Sequence, residues 1–156
     1  MPFRARPGPP PNLSRLRRAL ETVRTSHRAL LQATEEEALL QEITRVAVEV
    51  GGYRFAWIGY AEDGPGFPVR PVAWAGEERG YLEEIRVSWG EDPTGRGPVG
   101  GAIRSGTTVT VRDTATDPRF SPWREPALQR DYWAVIAVPL LNSEGAFGAL
   151  AVYAAE

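Results

Sequence analysis

Hydrophobic residues along this chain change their spacing several times, and each spacing predicts a different element. Leu13, Leu16, Leu20, Val23, His27 and Leu30 recur at intervals alternating between three and four, the a/d seam of a heptad helix. A second helical pattern follows. Thr34 as N-cap and Glu37 three residues on form a capping box, and the neighbouring acids complement a helix dipole. Leu39, Ile43, Val46 and Val50, with Leu40 and Ala47 beside them, give one apolar stripe that Gly51-Gly52 closes. Beyond these glycines the period drops to two. Residues 53–61 (YRFAWIGYA) predict a strand with Phe55, Trp57 and Gly59 on one side and Ala56, Ile58 and Tyr60 on the other. Residues 69–76 predict its antiparallel neighbour, reached through a Gly/Pro turn.

Further along, residues 77–84 predict a short helix, 86–89 an extended piece, and 95–106 a glycine-flanked helix with Pro98 in its first turn. Residues 107–112 (TTVTVR) read as a strand and 125–131 as a short helix. Two apolar runs then flank Asn142-Ser143-Glu144-Gly145, the signature of a β-hairpin. Pro139, inside the first run, fits only where no neighbouring strand needs its missing N–H. The fold class that follows is α+β, an antiparallel sheet with helices on its faces.

The 156 residues suit one domain. Residues 1–11 hold five prolines and read as a disordered arm, 12–33 as the coiled-coil-like helix, and 34–156 as the folded domain. The heptad seam admits two readings. One is a homodimer through a parallel coiled coil; the other is a helix folded back on its own domain. The dimer is preferred, with His27 as a polar register-setting residue whose pairing across the interface would sense pH.

A net charge of −2 offers no field to nucleic acid or an acidic membrane. All 18 basic residues are arginine, and seven of them lie in residues 1–31 against the single acid Glu21. That asymmetry reads as a solvated helix face and arm. The absence of cysteine removes disulfides, thiolate nucleophiles and zinc-finger sites together. No leader or long apolar run is read, so a cytoplasmic protein without membrane contact is expected.

Candidate chemistry is sparse. Gly95, Gly97 and Gly100 spell G-x-G-x-x-G, but a dinucleotide fingerprint needs a preceding strand and a long following helix. The glycines read instead as shapers of a tight loop. Asp113 with Asp117 and Glu91 with Asp92 are paired carboxylates, yet acids among prolines usually form turns and caps. With one histidine and no metal cluster, neither a catalytic activity nor a cofactor is expected. The aromatic residues point elsewhere. Trp57, Trp74 and Trp89, with Phe120 and Trp123, could line an apolar pocket to which Thr94, Arg104, Asp113 and Arg119 supply polar contacts.

One stretch carries a family resemblance. RDTATDPRF at residues 112–120, Trp123, Val138-Pro139-Leu140 and the closing G-x-L of Gly148 to Leu150 resemble a GAF domain, the small sensory α/β module of bacterial and other signalling proteins. The resemblance spans roughly residues 35–153. It implies a central antiparallel sheet of five or six strands with helices on both faces, and a pocket to which Asp113 contributes from a strand end. It also implies a regulatory sensor that binds a small molecule and signals through a helical dimer interface. The alternatives are a ligandless dimerisation module and, behind it, a carboxylate-dependent enzyme. Domains of this kind usually precede a histidine kinase, a diguanylate cyclase, or another GAF or PAS domain. None is visible up to Glu156, so a fragment or a free-standing module is expected. The lack of cysteine sets the chain apart from the redox-active methionine sulfoxide reductases and bilin-binding phytochromes of this family. The cyclic-nucleotide pattern of the family is also missing.

Overall fold

A computed structural model describes residues 16–18, 20 and 33–155. The arm at residues 1–11 and most of the heptad seam, His27 included, lie outside the described residues.

Helix α1 (Ala33–Glu49) opens the domain. Thr34, expected as the N-cap, lies within the helical backbone. The buried face is also rotated from the apolar stripe. Leu40, Thr44, Val46 and Ala47 are buried, whereas Val50 is 58% exposed. Thr44 takes a core position because its hydroxyl donates to the Gln41 carbonyl one turn back, at 2.8 Å. With Ala47 it presents a small surface on which the sheet packs closely.

Five strands follow: β1 (Phe55–Ala61), β2 (Val69–Gly76), β3 (Val109–Val111), β4 (Ala134–Asn142) and β5 (Gly145–Ala154). They form one antiparallel sheet in the order β2-β1-β5-β4-β3. The β4–β5 turn is tighter than the four-residue connection expected, because Asn142 and Gly145 already pair with each other. The Asn142 side chain accepts from the Glu144 N–H, and Gly145 adopts φ 124°, open only to glycine. Pro139 pairs with Ala149 on β5, while β3 stops pairing at Ala137. The proline therefore sits where β4 has no outer neighbour to need its N–H.

Alternation along β1 divides the core. Phe55 and Trp57 face one side, joined by Val135, Ala151 and Tyr153. Ala56 and Ile58 face the other, joined by Leu150 and Val152. That second face carries α1, and Leu16 packs into it at 1% exposure. Leu20 is partly buried beside it. Within one chain, these two seam residues thus rest on their own domain.

The first face is covered by α2 (Tyr81–Glu84), α3 (Pro98–Ser105) and α4 (Arg124–Gln129), with 3-10 turns at Pro93–Gly95 and Pro118–Trp123. Beneath them lies an aromatic nest. Phe55 stacks on Tyr132 at 5.3 Å, and Tyr81 meets Tyr132 edge-on at 5.0 Å. Burial raises the Tyr153 phenol to about 12 and pushes Tyr81 and Tyr132 up as well. Among the described residues, no helix is long and apolar enough to cross a membrane.

Candidate functional site

The functional site begins at β1, where Trp57 is buried and its indole N–H donates to the Tyr153 hydroxyl at 3.1 Å. The ring lies across Gly59, where a Cβ would collide with both Trp57 and Val69. Over this indole opens a cleft of about 480 Å³. Val69 and Pro71 of β2 form one wall. Leu82, Ile85 and Val87 form the adjoining wall. Pro65, Gly66 and Pro68 border its mouth.

This adjoining wall is held to β2 and its leading turn by strand-like bonds that fall short of a sixth strand. Val69 N–H donates to the Val87 carbonyl, and Trp89 N–H to the Phe67 carbonyl, both at 2.9 Å. The extended piece expected at 86–89 is this bridge. Its polar edge consists of Arg86, Ser88, Asp92 and Thr94. Asp92 caps the 3-10 turn at Pro93–Gly95, its Oδ1 accepting from the Gly95 N–H at 2.9 Å. The same oxygen accepts from the Thr94 hydroxyl at 2.7 Å and from the Ser88 hydroxyl at 2.9 Å. These hydroxyls hold the Asp92 carboxyl below the usual carboxylate range.

The residues expected to form the pocket separate into several groups. Only Trp57 and Thr94 line the cleft. Trp74 lies on the outer strand β2 and is 47% exposed. Trp89 packs edge-on against Phe67 at 5.0 Å and donates its indole N–H to the Glu62 carbonyl, so it braces the mouth from behind. The Arg104 guanidinium donates to the carbonyls of Trp89, Gly90 and Gly95, stapling the loop ahead of α3. Asp113 accepts from the Ala115 N–H at 2.9 Å in an Asx turn. Arg119 pairs with Asp117 and donates to the Thr110 carbonyl. Phe120 and Trp123 are buried in the core.

The three glycines of the G-x-G-x-x-G run are packing devices. A Cβ on Gly95 would strike the Gly90 backbone, one on Gly97 would enter the Trp123 ring, and one on Gly100 would meet the carbonyls of Gly95 and Ser88. Trp123 also donates its indole N–H to the Arg86 carbonyl at 2.8 Å, joining the 112–124 loop to the cleft wall.

Arg86, Ser88 and the apolar wall were not among the expected site residues. The Ile85/Val87 alternation and the Asp92-Pro93 cap are the sequence signals that could have exposed them. A larger hollow of about 700 Å³ lined by Ser121, Arg124, Glu125, Leu128 and Gln129 is an open shelf on the outside of α4, away from these groups. Among the described residues, no cluster of His, Cys, Asp and Glu could hold a metal ion.

Solved structures share this architecture. NreA from Staphylococcus aureus, mutated in its nitrate-binding site, is 23% identical with a TM-score of 0.63, covering 80% of this chain and 89% of that one. The GAF domain of a phosphoenolpyruvate-protein phosphotransferase from Coxiella burnetii is 16% identical with a TM-score of 0.68, covering 93% and 80%. A free methionine-R-sulfoxide reductase from Neisseria meningitidis, solved with its substrate, is 19% identical with a TM-score of 0.66, covering 99% and 82%. This last likeness corrects the expectation that the chain has no catalytic activity. The same architecture serves as an enzyme, and a fold does not fix the chemistry placed on it. No curated protein sequence matches the chain. The model of the GAF domain family matches residues 33–156, and with the five-stranded sheet and its two helical layers this places the chain in the GAF domain family, whose members are generally sensor or regulatory domains.

Proposed function

We propose that this GAF domain is a regulatory sensor that binds a small molecule in the cleft over Trp57 and passes the bound state to the helices on the opposite face. The observation that carries this reading is the cleft itself. Its volume of about 480 Å³ lies in the range of small-molecule sites, with mostly apolar walls and a few convergent polar groups. Transmission has a short physical path. Trp57 is the cleft floor, and its neighbours Ala56 and Ile58 pack against the core that holds Leu16 and Leu40. A ligand that prefers one arrangement of the 82–94 wall shifts the population of the other face through β1. The helix that seats Leu16 and Leu20 on that core then carries the change to an output domain in a signalling protein such as a histidine kinase or diguanylate cyclase. Two structural neighbours, NreA with its nitrate-binding site and a reductase solved with its substrate, support a small-molecule site on this fold.

Mass spectrometry of small molecules released from the natively purified protein, followed by thermal unfolding with each candidate, tests the reading. A ligand at about 100 times its Kd adds roughly 2.7 kcal/mol of stability. Leu82→Trp, which fills the cleft, removes that gain while leaving the protein folded. A different outcome favours a ligandless structural module: no released molecule, no stabilisation, and a Leu82→Trp protein more stable than the parent.

A further inference from the structure

Among the described residues, the cleft lining has one cation and one anion, Arg86 and Asp92. Their states differ. The three donors on Asp92 converge on a single oxygen, Oδ1. The Thr94 hydroxyl has one proton, which goes to Asp92 at 2.7 Å in preference to the Ser88 oxygen at 3.2 Å. The Ser88 proton goes to Asp92 as well. What this edge offers an incoming molecule is therefore lone pairs and negative charge, with no hydroxyl proton left to give. Such an edge receives an N–H donor, and best of all an ammonium. A simple anion placed there would meet a carboxylate and two acceptor oxygens.

Arg86 is the complement. Its side chain is exposed, and it forms no ion pair or side-chain hydrogen bond among the described residues. Only its carbonyl is engaged, by Trp123. The backbone is thus fixed while all the guanidinium donors remain free for a carboxylate. The same lining includes Trp57, Val69, Leu82 and Val87, an apolar surface for a hydrocarbon or aromatic side chain.

Building on the reading of the cleft as a ligand site, we propose that it selects a small zwitterion with an apolar side chain, an amino-acid-like molecule. Its ammonium is received by the Ser88–Asp92–Thr94 edge and its carboxylate by Arg86. Opposite charges at two fixed points make selection depend on both. A ligand lacking either group leaves one charged wall residue desolvated without a partner.

The test uses the full chain with L-leucine and L-phenylalanine as probes, followed through the Trp57 indole N–H resonance and by calorimetry. Isocaproate, which lacks the ammonium, isoamylamine, which lacks the carboxylate, and sodium nitrate are the comparison set. The amino acids are expected to shift the Trp57 resonance and to bind at least about tenfold more tightly than either single-charge analogue. Arg86→Gln should lower L-leucine to the level of isoamylamine, and Asp92→Asn should lower it to the level of isocaproate. Should Asp92→Asn fail to fold, the Arg86→Gln comparison decides alone, since that side chain supports nothing else. Nitrate or a single-charge analogue binding in the cleft as tightly as the amino acids overturns the zwitterion and leaves the sensor reading standing. So does a natively bound molecule without both charges. No response at Trp57 to any of these, with nothing released from the native protein, overturns both.

Discussion

The 112–124 loop and the 82–94 segment cover the same face of the sheet and are joined by one hydrogen bond, from the Trp123 indole to the Arg86 carbonyl. They differ in how their polar side chains are used. In the loop four of the five charged groups are committed internally, and Arg112 alone makes no ion pair or side-chain hydrogen bond among the described residues. Asp113 and Asp117 accept from the N–H groups of Ala115 and Arg119, Arg119 closes on Asp117, and Arg124 donates to the carbonyls of Thr114 and Asp117. In the 82–94 segment, Arg86 is unspent and Asp92 presents a charged acceptor edge to a cleft. The region richest in recognisable chemistry is thus mainly a structural clasp, and the plainer one carries the charged groups that line the cleft. Loop substitutions should cost stability and spare ligand selection, whereas substitution of Arg86 in the wall should do the reverse.

The largest expected effect is at the junction of the two regions. Trp123 is 4% exposed, packs on Phe120, and fills the space left by Gly97. Trp123→Ala should destabilise the protein by about 3–5 kcal/mol, the usual cost of removing a buried tryptophan. Urea unfolding measures it. A loss below about 1 kcal/mol would mean that the loop does not clasp the wall, and the comparison would fail at its hinge.

The aromatic nest beneath both regions gives the next effect. Tyr153 is raised to about 12, mainly by burial, with Tyr81 and Tyr132 shifted in the same direction. An unfolded tyrosine ionises near pH 10, so these phenols keep their protons longer in the folded state. Their contribution is complete below about pH 10 and is lost as the pH climbs toward 12. For Tyr153 alone the loss is on the order of 3 kcal/mol. Tyr153→Phe should flatten this alkaline limb in pH-dependent urea unfolding. An unchanged limb would place the alkaline sensitivity elsewhere.

How far the sequence reveals these regions depends on the range of the interactions that set them. Strand β2 spans the residues that alternation and turn chemistry predict, because both signals are local. The same holds for the division of β1 into Phe55/Trp57 and Ala56/Ile58 faces. The face of α1 is less legible. A hydropathy stripe counts Val50 as core and Thr44 as surface, yet Thr44 hides its hydroxyl on its own helix and Val50 lies beyond the last helical turn. At the site, Trp57 and Thr94 are visible from residue type, but Arg86 and Ser88 are not. Their placement depends on the bridge between Pro68 and Ser88, a contact across a turn that no local pattern encodes. Trp74 shows the converse. It pairs with buried Trp57 in register, yet it remains exposed because β2 is the outer strand.

A smaller effect sharpens the contrast within the loop. Asp117 caps the 3-10 turn at Pro118–Trp123 through the Arg119 N–H, and the adjacent Arg119 holds its carboxyl below the usual range. Asp117→Ala should cost about 0.5–2 kcal/mol, the range for losing an N-cap, and leave ligand affinity within twofold. A carboxyl held below its ordinary range also fixes the sign with pH. The cap contributes above the ordinary carboxylate range and is lost as acid protonates it, so Asp117→Ala should approach the parent's stability at low pH. A ligand affinity that falls much more than the stability would put this loop into the site after all.

The smallest stability effect belongs to Arg86→Gln. Its guanidinium makes no ion pair or side-chain hydrogen bond among the described residues, and the Trp123 contact uses a carbonyl that glutamine retains. Surface substitutions of this kind lie within about 0.5 kcal/mol of neutral. Urea unfolding of the variant should therefore overlay that of the parent, which makes it the sharpest probe of the division between clasp and wall. A loss above about 1 kcal/mol would show that Arg86 has structural work in solution. The open cation on the cleft would then be one more committed side chain, and the two regions would differ only in degree.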